Sequence, residues 1–357
     1  MGLSPQILGA ILRAGAQAPS GDNMQPWKFH WNGDGLDVLL DPKRDQSLYN
    51  ARQLASYIAL GAVVENLFLA ASVHKLRAEV NYFPAGSSSE VVARLRFLEG
   101  GGKADPLAGA IFDRCVNRRP YDPHFGVAAE TIASLAKEAR PSEGIELSWV
   151  TEPTARARLA RAAAQGDRLL FENRYIHRHF FSCIRWNQEE AEKTRDGLPF
   201  ATLELSGFDA LVFPKLRNWP LVRLLNYLGL SRAAAMKSAA LIRRSSAVGL
   251  ITVSEPSSPF FIQAGRAFER VWLKATLEKL AFQPMTGFVL LQLRSYLREY
   301  EGFNAGQVKL LSSIRDQLSA ICGTAGKIPA IMFRIGKAPP PSGRTLRRDV
   351  SAVSNVS

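Results

Sequence analysis

Apolar positions at helical spacing open the chain: Ile7, Ile11 and Leu12, with Ala10 and Ala14, share one face of residues 3–17. This pattern predicts an amphipathic helix that must stop before Pro19. The period then changes. Trp27, Phe29 and Trp31 alternate with Lys28 and His30, Asn32-Gly33-Asp34-Gly35 carries turn chemistry, and Leu36, Val38 and Leu40 resume the alternation. A hairpin or tight strand pair is expected there. From Arg52 to Leu76 the chain is apolar nearly all round, interrupted by Glu65, Asn66 and His74. That reads as a helix buried between layers rather than a membrane span. Further strands are expected at VNYF and at VVARLRF, the second with Val91, Ala93, Leu95 and Phe97 opposite Arg94 and Arg96.

The glycine-rich EGGGKADP, residues 99–106, marks the best boundary. Beyond it helical TIASLAKEA precedes strand-like IELSWV. A polar and aromatic helical region covers 152–193, strand-like AVGLITV lies at 247–253, and the helix AGRAFERVWLKATLEKL follows. That helix repeats the first buried one at a shift of 204 residues. Gly61, Glu65, Leu69, Ala71, Lys75 and Leu76 meet Gly265, Glu269, Leu273, Ala275, Lys279 and Leu280. The repeat suggests two related half-units, 1–105 and 106–357, as in a dimer fused into one polypeptide.

Composition narrows the class. At 357 residues, 46% hydrophobic and 22% charged, the chain can bury one large core or two ordinary ones. The opening MGLSPQILGAILRAG lacks the order of a signal peptide, so a cytoplasmic protein is expected. Cys115, Cys183 and Cys322 are scattered and without CxxC spacing, which suggests neither a disulfide frame nor a zinc site. The net charge of +13 would suit nucleic acid, an anionic membrane or a phosphate-bearing ligand. No aromatic-interleaved RNA signature accompanies the basic groups at Arg114–Arg119, Lys215–Arg244 and GKAPPPSGRTLRRD, so nucleic acid is not expected as a partner.

The richest candidate chemistry lies in APSGDNMQPW, Ala18 to Trp27. Pro19 and Pro26 restrict the chain, Gly21 permits close backbone approach, and Ser20, Asp22, Asn23 and Gln25 offer hydrogen-bonding groups. Such a loop can grip a planar polar ligand, or serve as an Asx-turn capping the preceding helix. His177-Arg178-His179 reads as a solvated helix face: residues two apart face different sides, and no acidic partner has ligand spacing. Dinucleotide-binding glycine loops and G-x-S-x-G are absent.

The loop pattern A-P-S-x-x-N-x-Q-P-W before a short strand resembles the flavin loop of the nitroreductase family of FMN-dependent oxidoreductases. NRRPYD at Asn117–Asp122 is similar to that family's arginine-rich phosphate loop, with Pro120 where a serine is usual. AFQPMTGF at Ala281–Phe288 resembles the segment against the flavin's central ring, and RIGKAPPPSGRTLRR resembles the basic C-terminal segment. The resemblance implies an α+β fold and FMN as cofactor. It further implies NADH or NADPH as reductant and a small-molecule electron acceptor such as a nitroaromatic or quinone.

By position, the resemblance places Pro19, Ser20, Asp22, Asn23 and Gln25 along the isoalloxazine and ribityl edge, and Arg118 and Arg119 beside Pro120 at the phosphate. Arg344 or Arg347 would complete that pocket, although a loose basic tail fits those two residues equally. Backbone N–H groups around Thr286 and Gly287 would meet N5, with Pro284 a further cofactor contact; without the resemblance PMTGF reads as a helix-ending turn. Arg243 is a candidate cation for the flavin pyrimidine. No catalytic side chain is implied, because the cofactor carries the chemistry.

The arginine loop follows the QPW loop here, the reverse of the usual family order. Its twin position in the second half keeps only Pro141 and Ser142. One flavin site per chain is therefore expected, in a fused pseudo-dimeric subfamily that is monomeric or a homodimer. Residues about 190–235 resemble a lid; a membrane-surface helix pair is the rival reading. A flavin-sequestering protein and a basic surface-binding protein stand as alternatives to the enzyme.

Overall fold

The computed structural model describes residues 3–86, 89–139, 143–205, 207–324 and 326–356. Pro141 and Ser142 lie outside the described residues. Helix α1 (Pro5–Ala16) starts where the Ser4 hydroxyl accepts from the Ile7 amide, with Pro5 at its first position. Its apolar face, Leu8, Ile11 and Leu12, is buried. Strands β1 (Trp27–Trp31) and β2 (Leu36–Leu40) form the expected antiparallel pair. Helix α2 (Leu54–Val73) follows, then β3 (Leu76–Tyr82) and β4 (Val91–Glu99).

Strand β4 departs from simple alternation. Val38 pairs with Ala93 but Leu39 with Val91, so a bulge inserts Val92, which is buried beside Ala93 while Val91 and Phe97 are only half-buried.

Past the glycine-rich stretch come α3 (Ala129–Glu138) and β5 (Ile145–Val150). The 152–193 region is a run of helices, α4 (Pro153–Asp167), α5 (Leu169–Glu172), α6 (Arg174–Cys183) and α7 (Gln188–Thr194), with the short β6 (Ile184–Arg185) before α7. Strand β7 (Leu198–Pro199) pairs with β6. Helices α8 (Gly207–Val212), α9 (Trp219–Tyr227) and α10 (Leu230–Arg243) lead to β8 (Ala247–Val253). Then follow α11 (Ser258–Leu277), β9 (Ala281–Pro284), α12 (Gly287–Leu297), α13 (Ala305–Cys322), β10 (Ile328–Gly336), α14 (Val350–Val353) and β11 (Ser354–Val356).

The strands make two main sheets, an α+β arrangement. One runs β11-β1-β2-β4-β3, the other β5-β8-β10-β9. Every position of β8 and β10 is buried, which explains their uninterrupted apolar runs.

Helix α2 lies against α11 between these sheets. A methyl group on Gly61 would overlap the Ile262 carbonyl, and one on Gly265 would overlap the Ile58 carbonyl. Ile58 and Ile262 are themselves 204 positions apart, so the crossing is reciprocal. The repeated glycines exist because only hydrogen fits where the two backbones touch. Glu65 and Glu269, one turn further along, are both buried and both paired with arginine. Glu65 binds Arg266 at 2.8 Å and Arg270 at 2.9 Å, and Glu269 lies 3.1 Å from Arg114. Of the most apolar stretch of α2, 83% is buried inside the protein, as a core helix requires.

The C-terminal segment is tied down across the molecule. Asn117 donates to the Pro339 carbonyl at 2.8 Å, Asn23 to Leu346 at 3.0 Å, and Gln25 accepts the Arg348 amide at 2.8 Å. Strand β11 then adds parallel to β1. The loose tail weighed from sequence is thus replaced by a strap, because backbone groups of Pro339, Leu346 and Arg348 each find a side-chain amide partner.

Gly61→Ala and Gly265→Ala should each destabilise the fold by roughly 2–4 kcal/mol, since backbone must move to admit the methyl. Gly109, around which a Cβ would meet nothing within 4 Å, provides the control; its alanine variant should stay within about 0.5 kcal/mol in denaturant melts.

Candidate functional site

Between the α2–α11 crossing, the strap and the helices after α3 lies a cavity of about 990 Å³. Segments distant in sequence meet there. Pro19, Ser20, Asp22 and Asn23 line one wall; Arg118, Arg344 and Arg347 another; Pro284, Thr286 and Gly287 a third. Gln25, Arg119 and Pro120 stand outside the lining.

The loop after α1 takes its shape from three non-glycine residues at positive φ: Asp22 at 45°, Asn23 at 58° and Gln25 at 54°. Such conformations persist only where the surroundings over-determine them. The Ser20 hydroxyl accepts the Gln25 amide at 2.9 Å. Asn23 donates to Gly197 and Leu346, both at 3.0 Å, and accepts from Arg347 at 2.8 Å. Buried Gln25 donates to the Arg195 carbonyl at 2.8 Å. Asn23 and Gln25 therefore fasten the loop to the strap and to the 195–197 turn rather than cap α1, and Pro19, Ser20 and Asp22 stand with Asn23 on the cavity wall.

The arginine turn divides its residues between inside and outside. Asn117 accepts the Arg119 amide at 3.1 Å, and buried Tyr121 donates to the Asn117 carbonyl at 2.9 Å. Arg118 faces the cavity and donates to the Thr202 carbonyl at 3.0 Å; burial depresses its pKa. Arg119 points to the rim, toward Ser342 at 2.7 Å and Glu204 at 3.3 Å. Pro120 is exposed. Thr286 stands immediately before α12, its hydroxyl donating to the Met332 carbonyl at 3.2 Å, so PMTGF begins a helix instead of ending one. Arg243 is exposed at the end of α10, outside the lining.

Positive charge dominates the wall. Seven arginines line it, Arg13, Arg114, Arg195 and Arg348 joining the three expected ones, against the four carboxylates of Asp22, Asp45, Asp167 and Asp349. Several of these guanidiniums are held by backbone carbonyls, which orient them without neutralising them. Arg344 donates to Phe112 at 2.6 Å and Arg347 to Ala18 at 3.1 Å, whereas Arg114, which donates to Gln17, is also paired with Glu269. Burial first, and then the charges of Arg114 and Arg344 against the opposing pull of Glu269, push Arg347 down to about 9. A half-buried guanidinium with Arg114 and Arg344 nearby is a place where an anion would be favoured. Arg114 was legible only as one of a basic group; its role here follows from the Glu269 pairing, which sequence distance hid.

The region about 190–235 contributes Leu198, Leu203, Leu205 and Phe213 to the wall, while Phe208, Leu211, Tyr227 and Leu228 remain exposed. Its interior is an aromatic cluster that includes His177. The solvated reading of His177 is overturned: the ring is 2% exposed, its Nε2 meets the Leu216 carbonyl at 2.8 Å, and it packs 4.5 Å from Phe181. His177 and Phe181, one turn apart, form the buried stripe of α6. His179 faces the other way and donates to Asp22 at 3.2 Å. Burial opposes its protonation, but Asp22 and Cys183 outweigh that and raise it to about 10. The acidic partner missing from its neighbourhood in sequence comes from 157 positions away.

Asp167, at the end of α4, lines the cavity and accepts from the Ser238 hydroxyl. Burial raises its pKa to about 6, although that hydrogen bond favours the carboxylate.

No family model matches the chain. The uncharacterized protein MT1398 of Mycobacterium tuberculosis is 26% identical over 343 residues, covering 95% of this chain and 47% of that protein. The chain thus spans about half the length of this curated relative. The FMN-dependent nitroreductase NfnB of Mycobacterium smegmatis, solved with NADPH, is similar over 70% of this chain and 96% of its own, at 16% identity and a TM-score of 0.38. At these levels the likeness leaves the activity to the site's own residues.

Asp167 binds its proton more tightly folded, near 6, than at its ordinary 3.8, so it draws stability down as pH rises through that window. Asp167→Asn should therefore stabilise the protein at pH 8 by about 1–2 kcal/mol, with the gain fading toward pH 4. Thermal melts of both proteins across that range check this.

Proposed function

We propose that the protein is an FMN-dependent oxidoreductase of nitroreductase type, passing reducing equivalents from NADH or NADPH to a small oxidised acceptor. The observation that carries this reading is the convergence on one cavity of the QPW loop, Arg118, the 284–287 turn and the strap arginines. These four segments resemble flavin-binding segments in sequence, and nothing in their order along the chain requires them to meet.

The donor set fits the cofactor. The surplus of guanidiniums on the wall suits a phosphate dianion, with half-buried Arg347 and exposed Arg344 as its holders and Arg118 a further cation on the same cavity, while buried Arg114 is paired with Glu269. The wall left between them is largely apolar: Ala55, Ile58, Phe268 and Leu290 offer flat contact to a planar ring. Bound FMN would supply two-electron redox chemistry. The chain's own residues position it, exclude water through Leu198, Leu203 and Phe213, and keep a proton at the Asp167 carboxyl below about pH 6. Because the lining draws on residues before 105 and after 106, the reading implies one flavin per chain at the junction of two fused half-units.

The purified protein should be yellow or become so with FMN, at one FMN per chain. Arg344→Ala and Arg118→Ala should raise the FMN Kd roughly 10- to 100-fold, about 1.4–3 kcal/mol, and leave riboflavin binding unchanged, since riboflavin lacks the phosphate. Rapid bleaching by NADPH in stopped flow supports turnover. Bound flavin that NADPH does not bleach would turn the reading toward a flavin-holding protein, and a preparation that stays colourless in excess FMN would remove it.

A further inference from the structure

Beside this cavity, and independent of whether it holds a flavin, three unlike ligand atoms converge. A carboxylate oxygen of Asp22, Nε2 of His179 and Sγ of Cys183 all lie within 4.8 Å of one another. His179 Nε2 stands 3.2 Å from Asp22 Oδ2 and 3.5 Å from Cys183 Sγ. The Met24 thioether is 3.8 Å from the same Sγ.

Two ordinary readings fit poorly. In a cysteine–histidine–aspartate relay the two ring nitrogens take different partners, one facing the thiol and the other the carboxylate. Here a single nitrogen faces both. As a plain hydrogen-bonded ion pair, Asp22 and His179 leave the Cys183 sulfur facing the same nitrogen at 3.5 Å, with the Met24 thioether as its other near neighbour.

The nitrogen–oxygen and nitrogen–sulfur separations are close to the edges of a metal polyhedron, and the carboxylate oxygen and sulfur lie within 4.8 Å of each other. Zinc bonds of about 2.0–2.1 Å to nitrogen, 2.0–2.2 Å to oxygen and 2.3 Å to sulfur give tetrahedral edges of about 3.4 Å for N···O, 3.6 Å for N···S and 3.8 Å for S···S. His179 and Cys183 are four apart on α6, the spacing that puts two ligands on one helix face. Asp22 arrives on the strained turn before β1 and borders the cavity, which provides access.

We propose that Asp22, His179 and Cys183 form a zinc site with three protein ligands, with Met24 beside the fourth position. The ion would join the 21–23 turn to α6 and so fix the cavity wall on which Asp22 stands.

Flavin-free, chelator-stripped full-length protein, dialysed against micromolar Zn2+ and assayed by elemental analysis, should retain one zinc per chain. His179→Gln and Cys183→Ser should each lose at least roughly 100-fold in affinity, while a Cys115→Ser, Cys322→Ser double variant retains the wild-type value. Co2+ added to the wild-type protein should give a thiolate-to-cobalt charge-transfer band, a readout that needs no variant to fold. Absence of that band, zinc retained undiminished by both single variants, or uptake of Cu+ with none of Zn2+ would each overturn the assignment.

Discussion

Contact of backbone with backbone where α2 crosses α11 is the constraint from which the rest of the structure follows. Gly61 and Gly265 bring the two helices closer than side chains would allow, and each glycine faces the carbonyl of an isoleucine 204 positions from its counterpart's. So close an approach locks the angle between the helices, and with it the relation of the two main sheets. The buried Glu65 and Glu269 then fall beside the crossing, where each must find a cation. Arg266 and Arg270 answer one, Arg114 the other.

The cavity inherits its charge from this arrangement. Arg114 is drawn inward by Glu269 and sits 4.4 Å over the Trp272 ring, and its field bears on Arg347 of the strap. Glu269 answers Arg114 and Asp349 lies 3.5 Å from Arg195, yet the guanidiniums on the wall still outnumber its carboxylates around a largely apolar space. An anionic headgroup on a flat apolar body is the chemistry such a space complements. Stability gains nothing from concentrating like charges there, which is why the surplus reads as a binding feature.

The strap shows how far local sequence can mislead. GKAPPPSGRTLRRD has the composition of a solvated tail, yet Asn23, Gln25 and Asn117 each take one of its backbone groups, and β11 completes the first sheet. The same tertiary contacts redefine the QPW loop. Its two amide side chains, read as ligand contacts, act as fasteners, and the positive φ angles they stabilise present Asp22 to the cavity and to His179. The burial of His177, two residues from His179, is not legible in its own helix, which offers no hint of the aromatic layer that covers it.

What the sequence determined is whatever depends on near neighbours. The helical and strand periods, the turn at Asn32–Gly35, the all-round apolarity of α2 and the 204-residue echo in α11 are each local patterns, and each has its element. The four segments now meeting at the cavity were also legible, because turn chemistry and arginine clustering are written in short stretches. Tertiary structure alone decided which side chain of each stretch faces inward. Arg118 turns in and Arg119 out, Gln25 braces while Ser20 lines, and Asp22 meets a histidine 157 positions away. The physical reason is that a side chain's direction depends on backbone angles fixed by distant partners, and those partners become neighbours only once the chain has closed.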